Sequence, residues 1–319
     1  MVSSWEDFYA KNPPPSDLPR TEQMLKEFIA RRMKTDKRVV LVTSGGTTIP
    51  LEHNTVRYVD NFSAGTRGSV SAEYFLEQGF AVIFMHSLRK RCRVKSLEPF
   101  SRHFAGQKFL DMLELTDADG GKFVAVSPDQ SEKLTKILTN YKEVQNRGDL
   151  LQIGFTTLSE YLWLLRSACQ ALALLEHWAT LYLAAAVSDF YVPSNEMSVH
   201  KIPSSKPQTL SLQLVPKILV PLVSLWVPKA FVISFKLETD ESVLISKARD
   251  ALNKYKHNLV IANMLQTRKQ QVIVVTKEND YTISLTDDQM KKGEEIEKYI
   301  VADLVEKQKL FVKSADERS

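Results

Sequence analysis

Two glycine-rich turns, TSGGTT at 43–48 and SAGTRG at 63–68, stand about twenty residues apart, and helix-like sequence follows each. Glycine removes the Cβ that would hold an anion off the backbone, and N–H groups at a helix start point outward at one. Gly45, Gly46, Gly65 and Gly68 are therefore suited to phosphate. Read singly, each stretch is a tight strand-to-helix turn; read as a pair, they favour a phosphate-binding surface. Three further segments end apolar runs in residues suited to ligand contact: AAAVSDF at 184–190, SFKLET at 234–239 and IANM at 261–264. In an open α/β sheet, ligands sit outside the carboxyl ends of the strands, so these segments and the first glycine turn form one candidate surface. The common nucleotide fingerprints are missing: no G-x-G-x-x-G, no G-x-x-x-x-G-K-[ST] and no Tyr-x-x-x-Lys occur.

The elements that must hold these residues alternate. Apolar residues at Met24, Leu25, Phe28, Ile29 and Met33 have helical spacing, and Val39 to Val42 is a continuous apolar run suited to a strand buried on both faces. A helix from the second glycine turn to Gly79 and a strand at 81–87 follow. The region 88–150 is less regular: a basic run RKRCRVK, Gly120-Gly121, a short strand FVAVS and a polar helix at about 129–145. Beyond it come a strand near 151–155, the apolar helix LSEYLWLLRSACQALALLEHW, the strand LYLAAAV and a polar, proline-rich arm at 191–207. TLSLQLV alternates as a strand, VPKILVPLVSLWV reads as a helix interrupted by proline, and AFVISFKLE is a buried strand. The helix ESVLISKARDALNKYKH, the strand NLVIANM, a hairpin over QVIVVTKENDYTISLT and a charged helix at about 287–309 complete the chain. Strands alternating with helices predict a Rossmann-like, mainly parallel sheet with helices on both faces, plus a C-terminal β-hairpin and helix. Residues 20–312 read as one α/β domain, 1–19 as an N-terminal extension with no packing signal, expected to tolerate disorder, and 313–319 as a tail.

Composition bounds the class. The 319 residues are 44% hydrophobic and 25% charged, with a net charge of +4 and two cysteines, Cys92 and Cys169. No apolar run reaches 18 residues and no secretory signal opens the chain, so a cytoplasmic protein with no membrane span is expected. The weak, dispersed charge gives no case for nucleic acid, and RKRCRVK lacks interleaved aromatics, so it reads as a solvated loop. The six histidines have no metal-ligand spacing, and no protein metal site is nominated.

Taken in order, VVLVTSGGT, VRYVDNFSAGTRG, YLAAAVSDFYVP, HKI, FVISFKLETD and VIANM resemble the phosphopantothenoylcysteine synthetases over about residues 20 to 312. The likeness is to the animal and fungal branch, which is free-standing with no fused flavin-dependent decarboxylase; the bacterial branch has Ala-Gly-Pro-Thr where this chain has Ser-Gly-Gly-Thr. It implies a ligase that joins 4′-phosphopantothenate to L-cysteine through an acyl-adenylate, with ATP rather than CTP as substrate, Mg²⁺ on the phosphates and a homodimer. By motif, Gly45, Ser63, Gly65 and Gly68 fall on residues that cradle the nucleotide phosphates, and Phe235 and Asn263 on residues that contact base or ribose. Arg57 and Asn61 fall on residues that hold phosphopantothenate and the acyl intermediate. Ala185 and Ala186 leave room for the pantetheine-like chain, Asp189 meets either the substrate amide or the nucleotide, and Lys201 resembles an arm lysine that reaches the triphosphate. Read without the resemblance, Asn61 is a turn former, Arg57 and Lys201 are surface cations, the alanines serve close packing and Phe235 is core. The competing functions are an NAD(P)- or flavin-linked oxidoreductase on the same fold and a non-catalytic nucleotide-binding scaffold.

Overall fold

The computed structural model describes residues 4–35, 37–88, 96–104, 109–118, 120–203 and 209–317. RKRCRVK, with Cys92, lies outside the described residues, as does 204–208 of the arm. The chain enters through helices α1 (Trp5–Lys11) and α2 (Leu18–Met33) and passes into strand β1 (Val39–Ser44). A small hairpin, β2 (Thr48–Pro50) with β3 (Tyr58–Asp60), separates the first glycine turn from α3 (Thr66–Glu77). Next come β4 (Ala81–Ser87), a second hairpin of β5 (Leu113–Ala118) and β6 (Gly121–Val126), then α4 (Pro128–Arg147), β7 (Leu150–Phe155), α5 (Leu158–Leu172) and β8 (Ala179–Leu183). The arm is pinned at its ends by two-residue strands, β9 (Phe190–Tyr191) and β10 (Gln213–Leu214). One helical turn, α6 (Leu219–Pro221), relaxes into a π turn ending at Trp226; β11 (Phe231–Glu238), α7 (Leu244–Tyr255) and β12 (Leu259–Met264) follow. The chain closes with the hairpin β13 (Gln271–Val275) and β14 (Asp280–Ser284) and with helices α8 (Asp287–Lys291) and α9 (Ile296–Asp316).

Eight strands form one sheet in the order β14-β13-β12-β11-β8-β1-β4-β7. The six from β12 to β7 run parallel and the C-terminal hairpin is antiparallel at one edge. Chain order reverses between β1 and β8: from β1 the sheet grows through β4 to β7, and then the chain returns to lay β8 on the other side of β1. Every residue of β1 is buried because helices cover both faces, and its alternate side chains enter different cores. Leu41 packs with α2 and α5 on one face; Val40 and Val42 pack with α3 and α9 on the other. This is the Rossmann-like arrangement that the alternating pattern predicts.

Local details depart from the reading of the sequence. Residues 5–11, assigned to the extension, form α1, whose Ser4–Asp7 capping box satisfies both end groups. Phe8 and Tyr9 are buried, and Arg166 of α5 lies 5.0–5.9 Å from the rings of Trp5, Tyr9, Trp163 and Trp226. Burial of each of those two side chains stabilises by about 1.5–3 kcal/mol, and the cation–aromatic contacts add to it. TLSLQLV pairs only at Gln213 and Leu214, because β9 offers just two residues to pair with. The segment after it makes a single α turn before Pro221 and the π turn, rather than a helix.

His257, at the entrance to β12, is buried; its Nε2 lies 2.7 Å from Ser234 Oγ and its Nδ1 has no hydrogen-bond partner. Burial, with Lys277 nearby, pushes its pKa down to about 4. The folded protein therefore excludes a proton that the unfolded chain accepts below about pH 6.5. The penalty is nil above that pH and grows as pH falls toward 4, reaching about 3 kcal/mol. Urea unfolding from pH 7 to 4 should show wild type losing that much more stability than His257→Gln. Parallel curves for the two proteins would remove His257 as the cause.

Candidate functional site

The reversal between β1 and β8 opens a crevice at the carboxyl ends of both strands, and backbone bonds draw the two following loops together. Ala186 N–H donates to Gly45 O at 2.8 Å, Thr47 N–H to Ala186 O at 3.2 Å, and Gly46 and Ala186 form a parallel bridge. Threonine hydroxyls extend the seam: Thr43 Oγ1 accepts from Ala185 N–H at 3.2 Å and Thr47 Oγ1 from Ser188 N–H at 3.1 Å. The second glycine turn is held against the first, since Ser44 Oγ donates to Gly65 O at 3.0 Å. Ser63 Oγ accepts from Gly65 N–H at 3.3 Å. Gly65 is the N-cap of α3 with φ 75°, a conformation that favours glycine.

Both glycine turns work first through close backbone approach. A Cβ at Gly68 would sit 2.5 Å from Ser44 Cβ, and one at Gly45 2.8 Å from Ser87 Cβ. The helix start that follows the second turn therefore lies against the end of β1, and its first N–H groups share the crevice with the β1 loop. Gly45 and Gly65 are buried with Gly68, so what these glycines offer a ligand is proximity and N–H direction rather than a lining surface.

A cavity of about 280 Å³ opens beside the seam, lined by Ala185, Asp189 and Phe235 among others. Phe235 stands edge-on to Tyr182, ring centroids 4.9 Å apart. Ser234, which opens the SFKLET segment, shares this cavity, as do Lys217 and Tyr255, which no motif in the sequence singled out. Burial, then the charge of Asp189, raises the pKa of the Tyr255 phenol. Asn263 is separate: it is buried, donates from Nδ2 to Lys236 O at 3.0 Å, and lines a different cavity of about 210 Å³. Phe235 and Asn263, expected at one nucleotide, thus sit on adjacent strands but open into different spaces.

The third part is the turn between β2 and β3 together with the arm. Arg57 Nη1 donates to Ile202 O at 3.0 Å, which sets Arg57 beside the exposed Lys201. Asn61, half-buried just past β3, donates its N–H to Thr47 O at 3.2 Å, so it is bolted to the β1 loop. Among the described residues no group of three or more His, Cys, Asp or Glu is placed to hold a metal ion. No helix among them is long and apolar enough to cross a membrane.

Residues 166–309 match the family model described as the DNA/pantothenate metabolism flavoprotein C-terminal domain. Over 309 residues the chain is 43% identical to the phosphopantothenate–cysteine ligase of Mus musculus, covering 96% of this chain and 97% of that protein. The chain belongs to the phosphopantothenate–cysteine ligases. It is 40% identical over 296 residues to another ligase of this family, CAB2 of Saccharomyces cerevisiae, covering 86% of this chain and 78% of that one. A solved Cab2 mutant in complex with phosphopantothenate-cysteine superposes with a TM-score of 0.85 at 39% identity, covering 98% and 99% of the two chains. Membership of the phosphopantothenate–cysteine ligases makes this protein an enzyme that forms a bond between two substrates.

Proposed function

We propose that the protein activates the carboxylate of 4′-phosphopantothenate with ATP and transfers the acyl group to the amine of L-cysteine, in coenzyme A biosynthesis. A carboxylate oxygen attacks the α-phosphorus, the bond to the β-phosphate breaks, and pyrophosphate leaves an acyl-adenylate. The cysteine amine then attacks the acyl carbon, AMP departs and the ammonium proton passes to solvent. The observation that carries this reading is the seam of the 44–48 and 185–188 loops at the sheet's reversal, with the start of α3 against it. That arrangement would bring the first N–H groups of α3, which have no intrahelical partner, near the cavity beside the seam, where fixed donors act on developing negative charge. Gly45, Ser63, Gly65 and Gly68 would form the phosphate end and Phe235 the nucleoside end, while Asn263, which opens into the neighbouring cavity, would have to reach the nucleoside from the adjacent strand. Ala185 and Ala186 would flank the pantetheine-like chain, Asp189 would fix an amide or the nucleotide, and Arg57 and Asn61 would hold phosphopantothenate. Lys201 would reach the triphosphate from the arm. Mg²⁺ on the phosphate oxygens would neutralise charge there.

We infer a homodimer acting in the cytoplasm. Val56, Phe62 and Val199 expose apolar surface beside the site, Phe62 at 84%, which favours a partner copy covering this face. The reaction is tested by pyrophosphate release from phosphopantothenate, cysteine and magnesium, with ATP and CTP supplied separately. Release that depends on phosphopantothenate and is faster with ATP, with a product heavier by the cysteine residue, is expected. Faster release with CTP would reverse the nucleotide assignment. A folded protein silent with both would return the scaffold reading.

A further inference from the structure

We infer that Glu52 is a positioning residue: its carboxylate clasps the arm to the β2–β3 turn and so sets Arg57 and Lys201. An ionised carboxylate taken out of water persists only where donors replace its hydration, and Glu52 is 0% exposed. Its Oε2 accepts N–H bonds from Val56 at 3.2 Å and Arg57 at 3.0 Å. Its Oε1 accepts the Ile202 N–H at 3.4 Å and faces Arg57 Nη1 at 3.7 Å. One carboxylate therefore gathers donors from two chain segments about 145 residues apart, and one of them, Ile202, directly follows Lys201.

The surrounding backbone repeats the connection. Glu52 bridges Ser198 in parallel fashion, His53 N–H donates to Ser198 O at 2.9 Å, and Asn54 N–H donates to Val199 O at 3.1 Å. These bonds align the two segments. The Glu52 carboxylate converts the alignment into a fixed peptide at Ile202 and a fixed guanidinium at Arg57, which in turn donates to Ile202 O. The donors, Arg57 N–H foremost, hold its carboxyl below the usual carboxylate range, in keeping with a group that stays charged. A carboxylate buried only for fold stability would have no reason to choose donors flanking both of these cations.

The inference rests on the ligase reading for its effect on turnover, but not for its effect on the arm. Glu52→Gln keeps the size and one acceptor oxygen, yet removes the charge and turns an NH₂ toward backbone donors. Trypsin cleavage after Lys201 should be accelerated about tenfold, while the melting temperature moves little. In turnover, kcat/KM for phosphopantothenate and for nucleotide should fall about ten- to a hundredfold, with KM for cysteine unchanged. In a Lys201→Ala background, Glu52→Gln should add far less than it does alone, because both act through one segment. If Glu52→Gln does not fold, Glu52→Asp, which keeps the charge but shortens its reach, takes the same assays. An unchanged cleavage rate, or strictly additive losses, would overturn the assignment. Wild type that never turns over would count against the ligase reading, while the cleavage rate still decides whether Glu52 holds the arm.

Discussion

Asp149→Asn is expected to destabilise the protein by about 3–5 kcal/mol, because it leaves a buried cation without its partner. Asp149, at the entrance to β7, has a side chain 2% exposed and receives three cationic donors. These are Arg32 Nη1 at 2.8 Å, Lys37 Nζ at 2.6 Å and Arg147 Nε at 2.8 Å. Arg32 is buried too; Nη2 also donates to the carbonyls of Arg147 and Gly148, and Nε has no partner. Burial lowers the pKa of Arg32 and Asp149 counters that, so the aspartate offsets the cost of holding this charged guanidinium in the interior. At roughly 2 °C per kcal/mol for a chain of this length, the melting temperature should fall by about 6–10 °C. Glu143→Gln is the control: its pair with Arg147, at 3.5 Å, is exposed on both sides and worth at most about 0.5 kcal/mol. Replacing Arg32 by Met and Asp149 by Leu together should recover most of the loss, since a buried ion pair contributes little over apolar side chains of similar volume. The cluster sits at the amino ends of the strands, opposite the crevice, so kcat/KM at 25 °C should be unchanged. A shift below about 1 kcal/mol would mean that water or relaxation takes the place of the carboxylate.

That cluster was not legible in the sequence, and the reason is general. Arg32, Lys37 and Asp149 are ordinary charged residues until β7 is placed two strands from β1, and that placement is made by tertiary packing. What could be read was local: continuous apolar runs for β1, β4 and β8, and glycines where strand gives way to helix. The Gly65–Gly68 turn was legible because both its sharp φ and its contact with Ser44 demand glycine. Helix α1 carried a signal in Ser4 and Asp7, but seven residues are too few for periodicity. Its anchors, Trp163, Arg166 and Trp226, lie about 150 residues or more away. Glu52, Lys217 and Tyr255 belong to the same class as Asp149, each given its meaning by a neighbour from a distant segment. Phe235 and Asn263 show the opposite limit: the strand-end motif located both, but not that they open into different cavities.

Asn61→Ala is expected to cut overall turnover by about 10²–10³-fold, the loss typical of removing one donor from a site of developing charge. Alanine keeps the main-chain N–H bond to Thr47 O that ties Asn61 to the β1 loop, and a melting curve run beside the turnover assay separates loss of the amide from loss of fold. Only the amide is lost, and it is the group able to donate and accept at once. Between the β2–β3 turn and the phosphate end of the crevice, that amide would bear on the acyl carbonyl and not on the triphosphate. The two half-reactions should therefore separate. A stoichiometric burst of pyrophosphate should persist within a few-fold of wild type, while transfer to cysteine stalls and acyl-adenylate accumulates in quenched samples. Equal loss of burst and transfer would instead put Asn61 on the nucleotide, with Ser63 and the start of α3. An unchanged steady state would leave it a turn residue and nothing more. The two half-reactions can discriminate in this way because Asn61 stands where the two loops meet, so the step it serves is set by which side of the seam its amide faces.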